Sequence, residues 1–431
     1  MNRPIDNSSR IYFARWILTP AGIVENGALE LCGNVVNFVG SRTDFSRWRS
    51  EKSRDCETVD LGESVIYPGL VNSHCHTAFP PSVSVDFERG SMVDWVKNTT
   101  PRHRARPDRE RLRDIDSALK RLKETGTVAL GEISNSAHSL CPIVRSGLLC
   151  RFFAEEMGFL ESEANEILCE FKRWRGNAEN ELQKLKESLG LCADAFTIHS
   201  APHAPHTTSA TLLKELTTGP NLTSIHAAEG IEELELLESG TGPWRERLRK
   251  IGRVDSSWNA PGMTPVQYLE SLGTLSAKTI LVHMVHLTED DLNIIKKYNC
   301  RVALCPSSNE YIGVGRAHTE NLLKTGVRIG LGTDSLGSNS DLNMFQEMRE
   351  SLRQNQGLAP EHVWRMATVG GASVLDYADS LGKLVAGKSP GVFSSEVDCE
   401  SDKDLFEVLI EAGDKTITCL AGASLKIRAG S

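Results

Sequence analysis

The sequence lacks the features that mark membrane, secreted and nucleic-acid-binding proteins. No segment of its 431 residues approaches the apolar length of a membrane span. The start, MNRPIDNSSRIYFARWILTP, has no uninterrupted apolar stretch like that of a secretory leader. Lysine and arginine form no long run, and the net charge of −9 opposes binding to nucleic acid. We therefore expect a soluble, cytosolic protein that contacts neither membrane nor nucleic acid.

The cysteine pattern typical of disulfide frameworks is also missing. The eleven cysteines are scattered along the chain, and no Cys-x-x-Cys pair occurs among them. An odd number of cysteines in a large chain fits reduced thiols that pack as small apolar residues. This is also what a cytosolic location predicts.

Two kinds of strand pattern divide the chain. Up to about Val65, short β-type runs alternate with Gly and Asn, which predicts a small sheet. Beyond that point, eight apolar runs each precede a longer segment with helical spacing, as is typical of parallel strands that are buried on both faces. In chain order the runs are VIYPGLVNSH (from residue 65), TVALGEIS (127), CRFFAEEMG (150), AFTIHSAPH (195), LTSIHAAE (222), TILVHMVH (279), RVALCP (301) and RIGLGTD (328).

Eight strands that alternate with helices predict an α/β fold, namely a (β/α)8 barrel of the TIM type. An open doubly wound sheet is the alternative, but His-x-His follows the first long run where that fold would carry Gly-x-Gly-x-x-Gly. After Leu381 the pattern returns to short strands. We expect residues 1–66 and 381–431 to form the two parts of a small β-sandwich, and residues 67–380 to form the barrel.

Histidine and aspartate side chains fall at the ends of these runs. His74 and His76 end the first run, His226 the fifth and His283 the sixth, and Asp334 ends the eighth. Because all strand carboxyl ends of such a barrel meet at one rim, these distant residues should converge there. The position of these residues predicts a metal site in the mouth of the barrel.

The residue types at this rim suit hydrolytic chemistry. The imidazoles of His74, His76 and His226 and the carboxylate of Asp334 are suitable ligands for Zn²⁺ or Fe²⁺, with room for a water molecule. Glu229, three residues after His226, is placed to shuttle protons in the loop that follows. His283 could hydrogen-bond the water, and Asp334 could also take a proton from it.

The sequence resembles the amidohydrolase superfamily, in its branch of purine and pyrimidine deaminases and chlorohydrolases. The matching motifs are PGLVNSHCH, PHAPHTTS, HAAE, VHMVHL, CPSSN and GTDSLGSN, in this order from Pro68 to the barrel end. The resemblance implies one divalent ion with four ligands, Glu229 as proton shuttle and His283 as the group that orients the water. The implied ligands are His74, His76, His226 and Asp334.

The resemblance also implies residues that contact a substrate. These are His203 in the PHAPH motif and, within CPSSN, Ser307 and Asn309. Trp95 could stack on a purine, but packing against the barrel is an equally good interpretation. Glu155 and Glu156 on the third run leave open a carboxylate that bridges two metal ions, although the fourth run has no lysine to do so.

The stretches CPSSNEYIGVG and GTDSLGSNSDLNMFQEMR are most similar to aminodeoxyfutalosine deaminases of menaquinone biosynthesis. This similarity implies a homodimeric enzyme that converts an adenine nucleoside into its hypoxanthine counterpart and releases ammonia. Deaminases of S-adenosylhomocysteine, methylthioadenosine or adenosine, and a triazine chlorohydrolase, are alternatives with the same machinery. His206 stands where relatives usually have Tyr, which bears on the substrate. A barrel that has lost activity and serves as a scaffold is a further alternative.

Overall fold

The computed structural model describes residues 9–50, 56–81, 85–254 and 258–425. The ends of the two predicted sandwich parts, at 1–8 and 426–431, lie outside the described residues. The strands are β1 (Ser9–Thr19), β2 (Gly22–Cys32), β3 (Val35–Ser41), β4 (Glu57–Asp60), β5 (Ser64–Pro68), β6 (Leu70–Cys75), β7 (Thr127–Ser134), β8 (Leu149–Glu156), β9 (Phe196–Pro202), β10 (Thr223–Ala227), β11 (Thr279–His283), β12 (Arg301–Leu304), β13 (Arg328–Leu331), β14 (Pro390–Glu396) and β15 (Thr418–Ala423).

Helices connect the later strands. The α-helices are α1 (Arg42–Arg49), α2 (Met92–Ala105), α3 (Asp108–Glu124), α4 (Leu140–Ser146), α5 (Ala164–Leu189), α6 (Ala210–Thr217), α7 (Ile231–Ser239), α8 (Gly242–Lys250), α9 (Pro265–Ser271), α10 (Glu289–Lys297), α11 (Pro306–Ile312), α12 (Thr319–Thr325), α13 (Met344–Gln354), α14 (Pro360–Arg365), α15 (Gly371–Val374) and α16 (Leu405–Ala412). Short 3₁₀ turns lie at Glu161–Glu163, Ala193–Ala195 and Gly413–Lys415, and a π-helical turn at Met366–Gly370. In the described part of the chain, no helix combines the length and the apolar character needed to cross a membrane.

Strands β6 to β13 form a parallel eight-stranded sheet in sequence order. A parallel bridge between Cys75 and Asp334 brings its first and last strands together. Glycine makes this approach possible, because a Cβ atom at Gly332 would lie 2.8 Å from the carbonyl oxygen of His74. The predicted (β/α)8 barrel is confirmed.

The two ends of the chain share a second, mixed sheet. Its strand order is β15-β14-β5-β1-β2-β3, and β4 pairs with β1. β14 runs antiparallel to β5, with Val392 opposite Pro68, so the C-terminal segment rejoins the N-terminal sheet as predicted. The predicted boundary after residue 66 falls within β5.

The first long run, VIYPGLVNSH, forms two strands in two different sheets. β5 belongs to the mixed sheet and β6 to the barrel, and Gly69 separates them. A Cβ atom at Gly69 would lie 2.4 Å from Cγ1 of Val128, so glycine permits the close crossing to β7. This junction leads the chain directly into the strand that carries His74.

A buried arginine stabilises the end of the barrel that lies opposite the rim with the histidines. Arg301 on β12 is 1% exposed and donates to the backbone oxygens of Ala277, Ser373 and Val374 and, at 2.7 Å, to Oδ1 of Asp376. These contacts tie the end of α15 and the residue Asp376 after it to β12. The predicted functional side chains lie at the other end of the barrel, the carboxyl-end rim.

We expect Arg301→Ala to lower the free energy of unfolding by about 2–4 kcal/mol, because buried carbonyl oxygens would lose their donor. The measurement is urea unfolding followed by circular dichroism. The matched control is Arg328→Ala, since this half-buried arginine also donates to backbone oxygens, those of Ala277 and Asn299. Equal losses in the two variants would contradict the prediction.

Candidate metal centre

Four predicted ligands converge at the carboxyl-end rim. His74 lies on β6, His76 directly after it, His226 on β10 and Asp334 after β13. Nε2 of His74 and Nε2 of His226 are 3.2 Å apart, and Oδ1 of Asp334 lies 3.6 Å from Nε2 of His74 and 3.5 Å from Nε2 of His76. Ligands about 2.1 Å from a tetrahedral ion are about 3.4 Å from one another. The observed spacings therefore match those around one ion.

The histidines of this set are neutral. Burial lowers the pKa of His74 to about 4 and also lowers the pKa of His226, and it brings the pKa of His76 well below its usual range. Nδ1 of His226 donates to the backbone oxygen of His203 at 2.9 Å, so its Nε2 presents a lone pair to the site. Neutral imidazoles, with the lone pair of His226 facing the site, fit a divalent cation.

Asp334 is held by hydroxyl groups on the side away from the histidines. Its Oδ2 accepts hydrogen bonds from Oγ of Ser308 at 2.6 Å and Oγ of Ser338 at 2.7 Å. Burial alone would raise the pKa of Asp334, but the contact with His74 and the electrostatic influence of His76 and His283 outweigh it and hold the pKa well below its usual range. The carboxylate is therefore ionised and directs Oδ1 at the imidazoles.

Glu229 and His283 lie next to each other, beside the predicted ligands. Oε1 of Glu229 lies 3.5 Å from Nε2 of His283, whose Nδ1 donates to Oδ1 of Asn309 at 2.9 Å. Burial, followed by the charges of Asp334 and Glu233, raises the pKa of Glu229 well above its usual range. Burial lowers the pKa of His283 to about 4. The site thus favours the protonated form of Glu229 next to the neutral form of the imidazole, which is the arrangement a proton donor needs.

The loops that carry Glu229, His283 and Asp334 contain residues in unusual backbone conformations. Ala228, His283, Met284 and Asp334 have positive φ values of 53°, 72°, 53° and 56°. Residues with a Cβ atom adopt this region only where surrounding contacts compensate for the strain. The strain lies at the ends of β10, β11 and β13, next to the predicted functional side chains.

The predicted substrate contacts occupy different positions around the rim. The His203 ring centre is 4.9 Å from that of His226, and its Nδ1 pairs with Thr207 Oγ1, which leaves Nε2 for other partners. Asn309 supports His283, as described above. The backbone N–H of Ser307 donates to Glu347 at 3.0 Å. Trp95 donates from Nε1 to the backbone oxygen of Gly337 and stacks against Phe79.

A second group of possible ligands, Glu155 with His203 and His226, shares His226 with the first. Oε1 of Glu155 lies 3.8 Å from Nδ1 of His226, but that nitrogen already donates to the His203 oxygen. Burial, together with the charges of Glu156 and Asp334, raises the pKa of Glu155 to about 8. A carboxyl group that is protonated at neutral pH is a weak ligand, so the geometry favours a single ion.

Three supporting residues were not singled out from the sequence. Ser308 and Ser338 fix Asp334, and the carboxylate of Glu233 accepts the backbone N–H of Glu229 at 3.1 Å. The serines belong to the motifs CPSSN and GTDSLGSN. These motifs located the two segments but did not indicate which serine hydroxyl contacts Asp334. Glu233 lies four residues after Glu229, a spacing that would have pointed to it if the loop before α7 had been known.

Comparisons with known proteins relate this chain to one family and to several deaminases. Residues 65–393 match the amidohydrolase family. Aminodeoxyfutalosine deaminase of Deinococcus radiodurans is 30% identical over 377 residues, which cover 82% of this chain and 82% of that protein. A 5-methylthioadenosine/S-adenosylhomocysteine deaminase of Pelotomaculum thermopropionicum is 26% identical over 383 residues, with coverages of 84% and 78%.

The fold has a close counterpart among solved structures. The crystal structure of Helicobacter pylori aminofutalosine deaminase in complex with methylthio-coformycin has a TM-score of 0.77 to this chain. It covers 97% of this chain and 100% of its own, at 18% sequence identity. At that identity the likeness concerns the fold alone.

Proposed function

This chain belongs to the amidohydrolase family, and on that premise we propose that it hydrolytically deaminates an adenine nucleoside, with aminodeoxyfutalosine as the leading substrate. The proposal depends above all on one observation, the buried acid Glu229 placed 3.5 Å from His283 beside a set of residues that fits a divalent ion. The name of the Deinococcus relative supports the choice of substrate. The corresponding pathway would be menaquinone biosynthesis.

The residues divide the proton transfers between them. A divalent ion in the site would lower the pKa of a water molecule to about 7 and polarise the reacting centre. Glu229 donates its proton to the purine ring nitrogen as the C6–O bond forms, and His283 orients the attacking oxygen. Asp334 accepts one proton from that oxygen and passes it to the departing amine, and the second proton of the same oxygen returns to Glu229. The C6–N bond then breaks, and the products are a hypoxanthine nucleoside and ammonia.

We propose Zn²⁺ as the ion, held by His74, His76, His226 and Asp334. Three imidazole nitrogens and one carboxylate oxygen are typical zinc ligands, and Fe²⁺ is the alternative for the same set. His203 and Trp95 are proposed to contact the nucleoside, and Ser307 and Asn309 to line its pocket. The homodimer and the cytosolic location expected from the sequence remain predictions.

Deamination of 5-methylthioadenosine or S-adenosylhomocysteine is the second candidate function. The Pelotomaculum relative carries that name and covers a similar share of the chain. Both candidates require the same residues at the metal centre. They differ only in the group attached to the ribose.

The test is a deamination assay on aminodeoxyfutalosine, 5-methylthioadenosine, S-adenosylhomocysteine and adenosine, read by the change in purine absorbance and by ammonia release. We expect the highest kcat/KM for aminodeoxyfutalosine. Removal of metal by a chelator should lower turnover at least about 10²-fold, because the ion supplies the activated water, and added Zn²⁺ should restore it. If metal-loaded protein deaminates none of the four compounds, the proposal is wrong.

A further inference from the structure

The carboxylate of Glu233 is buried behind the proton shuttle. It is 1% exposed, and its Oε2 accepts the backbone N–H of Glu229 at 3.1 Å. Helix α7 begins at Ile231 with Gly230 as its N-cap, a residue with no side chain to hold the preceding loop. Glu233, at the third position of the helix, therefore reaches back to the loop, much as in a capping box.

The loop that Glu233 holds is strained. Ala228 has a φ of 53°, and its backbone oxygen accepts from the N–H groups of Val285 and His286, each at 2.9 Å. These contacts fix the loop before Glu229, and Glu233 fixes it at Glu229 itself. A strained, buried loop keeps one conformation only while such contacts persist.

The second oxygen of Glu233 faces a histidine. Nδ1 of His206 lies 3.3 Å from Oε1, and both side chains are buried. The His206 ring also packs against Trp244, with 4.7 Å between ring centres. Neither Nδ1 of His206 nor Oε1 of Glu233 has a hydrogen-bond partner among the described residues, so His206 restrains the carboxylate by close contact alone. The chain of contacts runs from Trp244 through His206 and Glu233 to the backbone of Glu229.

We propose that Glu233, held by His206, is a positioning residue that keeps the Glu229 carboxyl group directed at His283. This inference rests on the proposed role of Glu229 as proton shuttle. The neighbouring Glu232 offers a contrast, because its carboxylate accepts from Oγ of Ser91 and from the backbone N–H of Val93. Glu232 therefore caps the start of α2.

Glu233→Ala should lower kcat by at least about tenfold, since displacement of a catalytic group by about 1 Å costs up to about 10²-fold. Metal content and KM should stay within about twofold of wild type, because the ligands and the substrate contacts are elsewhere. Glu233→Gln keeps an oxygen that can accept the Glu229 N–H, so it should restore kcat to within about threefold of wild type.

The matched control is Glu232→Ala, which removes a buried carboxylate one residue earlier. We expect it to lower the melting temperature about as much as Glu233→Ala does, while kcat changes little. A fall in kcat of the same size in both variants would mean that the effect is general loss of structure, and the positioning role would be overturned.

A double-mutant cycle distinguishes this inference from the proposed function. If Glu233 acts through Glu229, Glu233→Ala should lower kcat no further in a Glu229→Gln background. Independent, additive losses would overturn the positioning role and leave the shuttle intact. If Glu229→Gln alone kept normal kcat, the shuttle itself would be wrong, and the positioning role would be wrong with it.

Discussion

Asp334→Asn should reduce kcat by at least about 10³-fold while the barrel stays folded. The change keeps the shape of the side chain but removes its charge, so the site loses both a ligand and the group that relays a proton. The amide nitrogen would also face either the histidines or the hydroxyl groups of Ser308 and Ser338, all of which are placed to contact a carboxylate.

The measurement is steady-state kinetics on the best nucleoside substrate, with metal content and circular dichroism recorded for the same sample. Asp341→Asn is the control, because it makes the same chemical change seven residues later, at a surface pair with Arg121. Turnover by Asp334→Asn within about tenfold of wild type would place the reaction elsewhere.

Much of this site could be anticipated from the sequence, because a parallel barrel gathers the ends of its strands. Knowing only that His74, His226 and Asp334 end separate apolar runs is enough to bring them to one rim. The first and last residues of each strand were harder to predict from the sequence. The run VIYPGLVNSH is continuous in its apolar character, yet it changes sheets at Gly69, where the crossing depends on contact with Val128 from a later strand.

The supporting contacts could not be predicted, since they join segments that are distant in sequence or depend on backbone conformation. Ser308 reaches Asp334 only because the loop after β12 lies beside the loop after β13. Adjacent Ser307 instead presents its backbone N–H to Glu347. The sequence offers two neighbouring hydroxyl groups, and the backbone of α11 decides which one faces the carboxylate.

Glu229→Gln should lower kcat by at least about 10²-fold, the usual scale for loss of a general acid. The purine ring nitrogen gains electron density as oxygen adds to C6, and the transition state needs a proton there. Burial and the nearby carboxylates raise the pKa of Glu229 well above its usual range, which favours the protonated form of the wild-type side chain. Glutamine can donate a hydrogen bond in the same place but cannot transfer a proton.

The pH dependence gives this prediction a second readout. A raised pKa means that Glu229 stays protonated up to a higher pH than an exposed glutamate does, and it loses its proton only as pH rises through the raised value. In wild type, kcat/KM should therefore fall on the alkaline side as Glu229 ionises. The residual activity of Glu229→Gln should lack that fall, because an amide does not titrate.

Metal content equal to wild type, together with unchanged binding of the hypoxanthine product, would assign the loss to proton transfer. Loss of the metal would instead make Glu229 a ligand or a support for one, and near-normal kcat would mean that Glu229 is not the proton shuttle.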